Sequence, residues 1–357
     1  MNIECPLPVD QLGSTTEKVI RLGHGSGGEL TQRLLQESVF PHFDNDWTRE
    51  GHDSALLQLG DARLAFTTDS FVVSPLFFPG GDIGKLAVYG TVNDLAMSGA
   101  RPLYLSCGLI LEEGLPVSTL NQVMISMARA SAEVGVQLVT GDTKVVEKGK
   151  GDGIYINTSG IGVLERSQAI SPQSIAPNDV ILLSGDIGRH GMSVMAKREG
   201  LEFDGALLSD CAPLWNPVAQ LLEAGIEIHC LRDLTRGGLA TALVELAESS
   251  GLSFEIEESQ IAVSEPVQGA CELLGLDPMY VANEGRFILF VPAEQHKMAL
   301  EVLSRQQVSA ESRVIGRVTG PVPEAVPERP SEVILRNSFG CERLLSLLPG
   351  EQLPRIC

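Results

Sequence analysis

Apolar and polar residues recur along this chain with two different periods, and the changes of period outline its elements. From Glu29 to Val39 the apolar positions fall at helical spacing. From Ser54 to Val73 they alternate, with Leu64, Phe66 and Thr68 on one side and Ala65, Thr67 and Asp69 on the other, which predicts strands. Lys85 to Ala100 is apolar almost throughout and predicts a buried helix. Ser118 to Val134 predicts a second, with apolar residues at Leu120, Met124, Met127 and Ala128 and with Ser118 as its N-cap. Val136–Thr140 and Ile154–Leu164 read as strands.

Pro172, Pro177 and Asn178 interrupt the periodicity and mark a domain boundary within 167–177. Beyond it the pattern predicts strands at Val180–Ser184, Phe254–Ile256, Arg286–Pro292 and Glu332–Arg336, and helices near Pro213–Glu223 and Gly238–Ser249. Pro321, Pro323, Pro327 and Pro330 mark a turn-rich connection before the last strand. The expected division is a unit 1–45 holding a mobile leader, a glycine-rich loop and the first helix; an N-terminal domain, 46–168; a C-terminal α+β domain, 169–345; and a flexible tail, 346–357. Strands and helices mix without a strict βαβ rhythm, so the class is α/β with α+β rather than a doubly wound sheet. The tail, LPGEQLPRIC, has two prolines, a glycine and no apolar period. It reads as exposed and mobile, and could reach about 30 Å.

Composition narrows the function. With 357 residues, 43% hydrophobic, the chain can bury two ordinary cores. A formal net charge of −20 repels phosphate backbones and anionic lipid, so neither nucleic acid nor a membrane surface is an expected partner. No apolar run approaches the ~20 residues of a membrane span, and MNIECPLPVD lacks the features of a secretory signal. The seven cysteines form no CxxC pair, which argues against zinc and dithiol chemistry and for a cytoplasmic protein with reduced thiols.

Three acids stand where a cation would be needed. Asp69 closes an apolar strand in TTDSFV, Asp94 lies in the apolar helix of GTVNDLAMSGA, and Asp142 follows a strand in VTGDTK. Buried acids are costly unless something positive meets them, and oxygen-only ligation suits magnesium. Each could equally cap a turn, a reading that is hardest to sustain for Asp94 and its neighbour Asn93 inside a helix. GHGSGG could cradle phosphate with its backbone N–H groups or serve as a linker. A dinucleotide fold is excluded because a helix and a polar loop, not a βαβ unit, follow Gly28. Lys144 could meet phosphate or sit exposed. Arg236 in DLTRGG lies beside a helix N-terminus, and ANEG needs to be no more than a turn. The six histidines show no metal spacing.

Taken together and in order, GHGSGG, TDSFVVSPLFFPGGDIGKLAVYGTVNDLAMSGA, SCGLILEEG, VTGDTKVV, SDCAPL, RDLTRGGLA, ANEG and the terminal PRIC resemble the HypE family of hydrogenase maturation factors, from about Arg21 to Cys357. The TDS, NDLAMSGA and TGDT elements are shared with aminoimidazole ribonucleotide synthetase, selenophosphate synthetase and thiamine monophosphate kinase. They therefore speak for the ATP-binding fold, and PRIC for the substrate. The resemblance implies a two-domain fold of the aminoimidazole ribonucleotide synthetase type that pairs its N-terminal sheet with a second subunit as a homodimer. It implies ATP and Mg2+ as cofactors. Asp69, Asp94 and Asp142 are then the metal and phosphate ligands, and Gly25, Ser26, Gly27 and Gly28 a phosphate lid. Lys144 and Glu284 become the polar groups around Cys357, and Asn93, Arg236 and Asn283 supporting cofactor contacts.

The implied activity is ATP-dependent dehydration of an S-carboxamide on Cys357 to a thiocyanate, the source of a cyanide ligand for [NiFe]-hydrogenase. The implied partners are the HypF carbamoyltransferase and the HypC–HypD complex. Two alternatives remain open from the residues: a small-molecule kinase or synthetase of the same superfamily, and a non-catalytic nucleotide-sensing module whose tail docks a partner.

Overall fold

The computed structural model describes residues 19–43, 45, 47, 49, 52–166, 169–201, 207–320, 331–349, 353 and 355–357. The leader and the four-proline connection expected from the sequence lie outside them.

Helix α1 (Glu29–Ser38) follows the glycine loop and is continued by the short α2 (Phe40–Phe43). Strands β1 (Ala55–Leu59) and β2 (Ala62–Phe71) form a hairpin whose turn is set by Gly60 at φ +60°. A small ribbon, β3 (Phe77–Phe78) with β4 (Gly81–Asp82), leads into helix α3 (Ile83–Met97). Asp82 caps α3 by accepting from the N–H groups of Gly84 and Lys85 at 2.8 and 3.1 Å. Every α3 residue except Lys85 and Asp94 is buried. Strand β5 (Arg101–Glu112), helix α4 (Val117–Val134) and strands β6 (Gln137–Val146) and β7 (Ile154–Val163) complete a five-stranded sheet of order β1-β2-β7-β5-β6. One face packs on α3 and α4 through Phe71, Leu86, Tyr89, Val92, Leu105 and Val123.

Two local expectations change here. Helix α4 starts at Val117 with Pro116 as N-cap and no side-chain cap, so Ser118 is already inside it. Strand β6 does not stop at Thr140. It pairs in parallel with β5 as far as Val146↔Glu112, and that places Asp142 and Lys144 within the strand.

The second half builds a seven-stranded sheet from β8 (Val180–Leu183), β9 (Cys230–Asp233), β10 (Ser253–Glu257), β11 (Phe287–Val291), β12 (Arg313–Gly320), β13 (Val333–Arg336) and β14 (Glu342–Leu345), in the order β14-β13-β10-β12-β8-β11-β9. Helices α5 (Arg189–Glu199), α6 (Trp215–Glu223), α7 (Gly238–Ser250), α8 (Glu265–Leu274) and α9 (His296–Ser304) pack around it. Strand β11 is buried at every residue because α7 covers one face of the sheet and α6 with α9 the other. The first half's core continues into the second through Val194, Cys211 and Ala282, and Ile356 of the tail joins it. Along that seam lies the site.

Candidate functional site

A cavity of about 330 Å³ opens between the two halves. Strand β2 supplies Thr67, Thr68 and Asp69. Helix α3 supplies Gly90 and Asp94, the one acid on that largely buried helix. Strand β9 and the loop after it supply Arg232, Asp233, Thr235 and Arg236. Gly27, Glu284 and Cys357 complete the wall together with Asp53 and Glu245. Two residues hold the glycine loop over the opening. Arg236 Nη1 donates to the Gly25 carbonyl at 3.2 Å, and the Gly27 N–H donates to Thr31 Oγ1 at 3.0 Å. Gly27 has φ +84°, and a Cβ there would stand 3.0 Å from Arg236 Cβ, so only glycine fits the approach.

Six carboxylates (Asp53, Asp69, Asp94, Asp233, Glu245 and Glu284) line this cavity against two guanidiniums. Arg232 is shared between Asp53 at 3.2 Å and Glu245 at 3.4 Å, which leaves an acidic excess. Burial pushes Asp94 well above the usual carboxylate range, and the charges of Asp233, Asp69 and Asp53 add to it, while a 2.7 Å hydrogen bond from Thr67 Oγ1 opposes. Asp233 and Glu284 are raised well above theirs in the same way, by burial first. Burial also raises Asp69, with Arg236 pulling the other way. Asp233 Oδ2 and Glu284 Oε1 are buried and have no hydrogen-bond partner among the described residues. Such a set fits a divalent cation. Among the described residues no three His, Cys, Asp or Glu enclose an ion by themselves, and magnesium commonly completes its shell with water and phosphate oxygens.

Arg355, Ile356 and Cys357, in a tail expected to be exposed, are docked. Val72 and Ser74 donate main-chain N–H groups to main-chain oxygens of Cys357 and Arg355 at 3.0 and 3.4 Å. Arg198 Nη2 bridges Ser74 O at 2.7 Å and Arg355 O at 2.8 Å, and Arg355 itself donates to Val72 O and pairs with Asp152. Ile356 is 3% exposed. Burying such a side chain contributes about 1.5–3 kcal/mol, enough to offset part of the ordering entropy of a few residues. Cys357 is half-buried at the cavity wall, and burial raises its thiol pKa, with Glu284 adding and Arg236 opposing.

Other residues singled out from the sequence stand elsewhere. Asn93 does not line the cavity: its Oδ1 accepts from Leu214 N–H at 2.8 Å, and its Nδ2 donates to Ala212 O at 3.1 Å and Glu284 O at 3.4 Å. Asn283 is fully buried and likewise engaged, with Gly188 N–H at 2.7 Å and the carbonyls of Leu234 and Val281 at 3.0 and 3.1 Å. Both amides clamp main chain. Ser26 Oγ turns back to Gly23 O at 2.8 Å, and with Gly28 it lines a smaller pocket beside the cavity. Asp142 and Lys144 form an exposed 2.5 Å ion pair on β6 and do not reach the cavity within one subunit.

The sequence reading passed over Asp53, Thr67, Arg232 and Asp233 as site residues. Asp53 sits in a polar stretch indistinguishable from a loop, and Arg232 and Asp233 close an apolar strand. The repetition of a strand-end acid, as at Asp69, was the available signal for Asp233.

Sequence models of the family described as AIR synthase related protein match residues 51–164 with its N-terminal domain and residues 176–326 with its C-terminal domain. The carbamoyl dehydratase HypE of Cupriavidus necator is 48% identical over 339 residues, covering 95% of both chains. A crystal structure of the hydrogenase maturation protein HypE in complex with ATP is 47% identical and superposes with a TM-score of 0.79 over 94% of this chain and 98% of that one. A HypE–HypF complex is 43% identical, with a TM-score of 0.82 over 88% and 99% of the two chains. With these identities across both sheets and both matched domains, the chain belongs to the HypE family of carbamoyl dehydratases.

Proposed function

We propose that the protein converts a carbamoyl group carried on the sulfur of Cys357 into a thiocyanate at the expense of ATP, and so supplies cyanide for [NiFe]-hydrogenase assembly. The observation that carries this reading is Cys357 on the wall of the cavity that holds Asp69, Asp94, Arg236 and Glu284. The relatives named carbamoyl dehydratase HypE and the ATP-bound HypE structure support it.

An amide loses oxygen slowly because oxide is a poor leaving group. Transfer of the terminal phosphoryl group of ATP to the carbamoyl oxygen turns that oxygen into part of a phosphate. The C–O bond then breaks, both N–H protons leave, and S–C≡N, ADP and phosphate result. Asp69 and Asp94 would hold Mg2+, which supplies charge neutralisation at the transferring phosphoryl group. Arg236 sits at the mouth to meet phosphate and keeps the glycine loop in place. Glu284 shares the cavity wall with Cys357 and has an oxygen without a hydrogen-bond partner among the described residues, while burial raises its affinity for a proton, as a group that takes a proton from nitrogen requires. Burial keeps the docked Cys357 thiol protonated, so the free sulfur is a poor nucleophile inside, and carbamoyl loading belongs to an undocked tail. HypF as donor of the carbamoyl group accords with the HypE–HypF complex; HypC–HypD is the acceptor implied by the resemblance.

Asp142 and Lys144 act in this reading from a second subunit. Strand β6 is a sheet edge exposed along nearly its whole length, with Leu138, Val139 and Val145 bare, and Tyr104, Ile161 and Phe66 are exposed on β5, β7 and β2 of the same sheet. A long apolar edge invites pairing with another copy, and a homodimer would cover it.

Intact mass after incubation with carbamoyl donor and ATP tests the whole. The full chain should gain a carbamoyl group and then lose the elements of one water. A chain lacking Cys357 should show neither change, and an adduct that persists on it would sink the reading.

A further inference from the structure

The phrase SDCAPL has no part in the chemistry above, yet two sets of contacts pass through its first three residues. His190 is fully buried, with Nε2 2.8 Å from the carbonyl oxygen of Ile356 and Nδ1 2.9 Å from Ser209 Oγ. A carbonyl only accepts, so Nε2 carries the proton. Burial holds the ring neutral, so Nδ1 accepts, and Ser209 Oγ–H must be its donor. The Cys211 N–H in turn donates to Ser209 Oγ at 3.1 Å, occupying one of its two lone pairs. The hydrogen bonds therefore run with one polarity from Cys211 through Ser209 and His190 to the tail. The edge-on Phe78 ring, 5.3 Å away, fixes the imidazole plane.

The middle residue reaches the other way. Asp210 Oδ2 accepts from the N–H groups of Glu284 and Gly285 at 3.1 and 2.9 Å. The turn sits so close that a Cβ on Gly285 would run into the Asp210 carbonyl oxygen. Ala212 N–H donates to the Glu284 carbonyl at 3.4 Å. One short loop thus grips both the end of the tail, at Ile356 beside Cys357, and the turn that presents Glu284.

We propose that Ser209, Asp210 and His190 are positioning residues that set the Cys357-borne carbamoyl group against Glu284, Ser209 and His190 by seating the tail and Asp210 by seating the turn. The proposal rests on the reading of Cys357 as the carrier, and two readouts separate them.

The first needs neither ATP nor carbamoyl donor: the rate at which iodoacetamide alkylates Cys357, resolved by peptide mass, with exposed Cys341 as internal reference. Loss of one hydrogen bond from the docked state should raise this rate about 10-fold in His190→Ala. His190→Gln, whose Nε2 can donate to the same carbonyl, should return it towards the parent. Ser209→Ala should give an intermediate increase. The second readout is single-turnover thiocyanate formation on carbamoylated chain. It should fall about 10-fold or more in His190→Ala and Asp210→Ala and recover in His190→Gln and Asp210→Asn, because the Asn oxygen can still accept both N–H groups. Unchanged alkylation in His190→Ala, or Gln and Asn variants as slow as the Ala variants, overturns the proposal. Should His190→Ala fail to fold, Ser209→Ala decides alone, and unchanged alkylation there is fatal. If the parent chain forms no thiocyanate, the carrier reading fails, while the alkylation series still reports whether the loop seats the tail.

Discussion

The main-chain N–H of Val72 donates to a main-chain oxygen of Cys357 at 3.0 Å. Strand β2 ends at Phe71, so the tail begins pairing where β2 has left its own sheet, and the residue expected to react is tied to the strand that carries Asp69. Sulfur and acid therefore share one rigid frame.

Ile356 is the apolar anchor of that arrangement. Ile356→Ala leaves Cys357 chemically intact but removes about 2 kcal/mol or more of burial, a roughly 30-fold bias towards the undocked tail. Thiocyanate formation should slow by an order of magnitude while ATP affinity, read by calorimetry, stays at the parent value. Equal loss of both would place Ile356 in general stability instead.

Lys144 is exposed on β6 and Glu284 is buried beside Cys357. If each works with the other copy's partner group, Lys144→Ala and Glu284→Gln chains are separately inactive, and a mixture of the two regains part of the activity through heterodimers. A mixture as inactive as its components shows that Lys144 and Glu284 do not act across an interface.

Arg236 joins the glycine loop to the acidic cavity. Arg236→Ala should weaken ATP binding about 10- to 100-fold, with Arg236→Lys restoring only part of it, because an ammonium cannot reproduce the planar fork. Titration calorimetry with a non-hydrolysable analogue gives the answer.

Asp233 and Glu284 have pKa values raised above those of the unfolded chain. The native state therefore holds more protons, and stability falls as pH climbs from about 4 through the raised values. His52, pushed down to about 4 by burial, works the opposite way: it costs stability as pH drops below about 6.5. Free of nucleotide and metal, the protein should melt highest in mildly acid buffer. Asp233→Asn should raise Tm at pH 8 by about 2–4 °C and change it less near pH 5. A uniform shift at both values would remove ionisation as the cause.

Much of the frame was legible because it depends on local pattern. The alternation at Leu64–Asp69 became β2, with Ala65 and Thr67 buried and Phe66 and Thr68 exposed, and the apolar run around Asp94 became a buried helix. Asp94 could be singled out because a charge on a helix without polar faces has no local explanation. Asn93 and Asn283 looked equally functional. Their amides instead complete the main-chain hydrogen bonds of loops more than 40 residues away in sequence, Leu234 to Asn283 and Asn93 to Leu214 among them, a demand no window of sequence displays.

By itself the sequence determined which acids stand on apolar elements and where the periods change. Only the tertiary structure decided that the tail lies inward, that Asp53, Arg232 and Asp233 share the cavity, and that Asp142 and Lys144 do not reach it within one chain. The reason is physical. Secondary structure follows from side-chain spacing along a few residues, whereas a cavity is made by strands and loops that meet only when two cores close on each other.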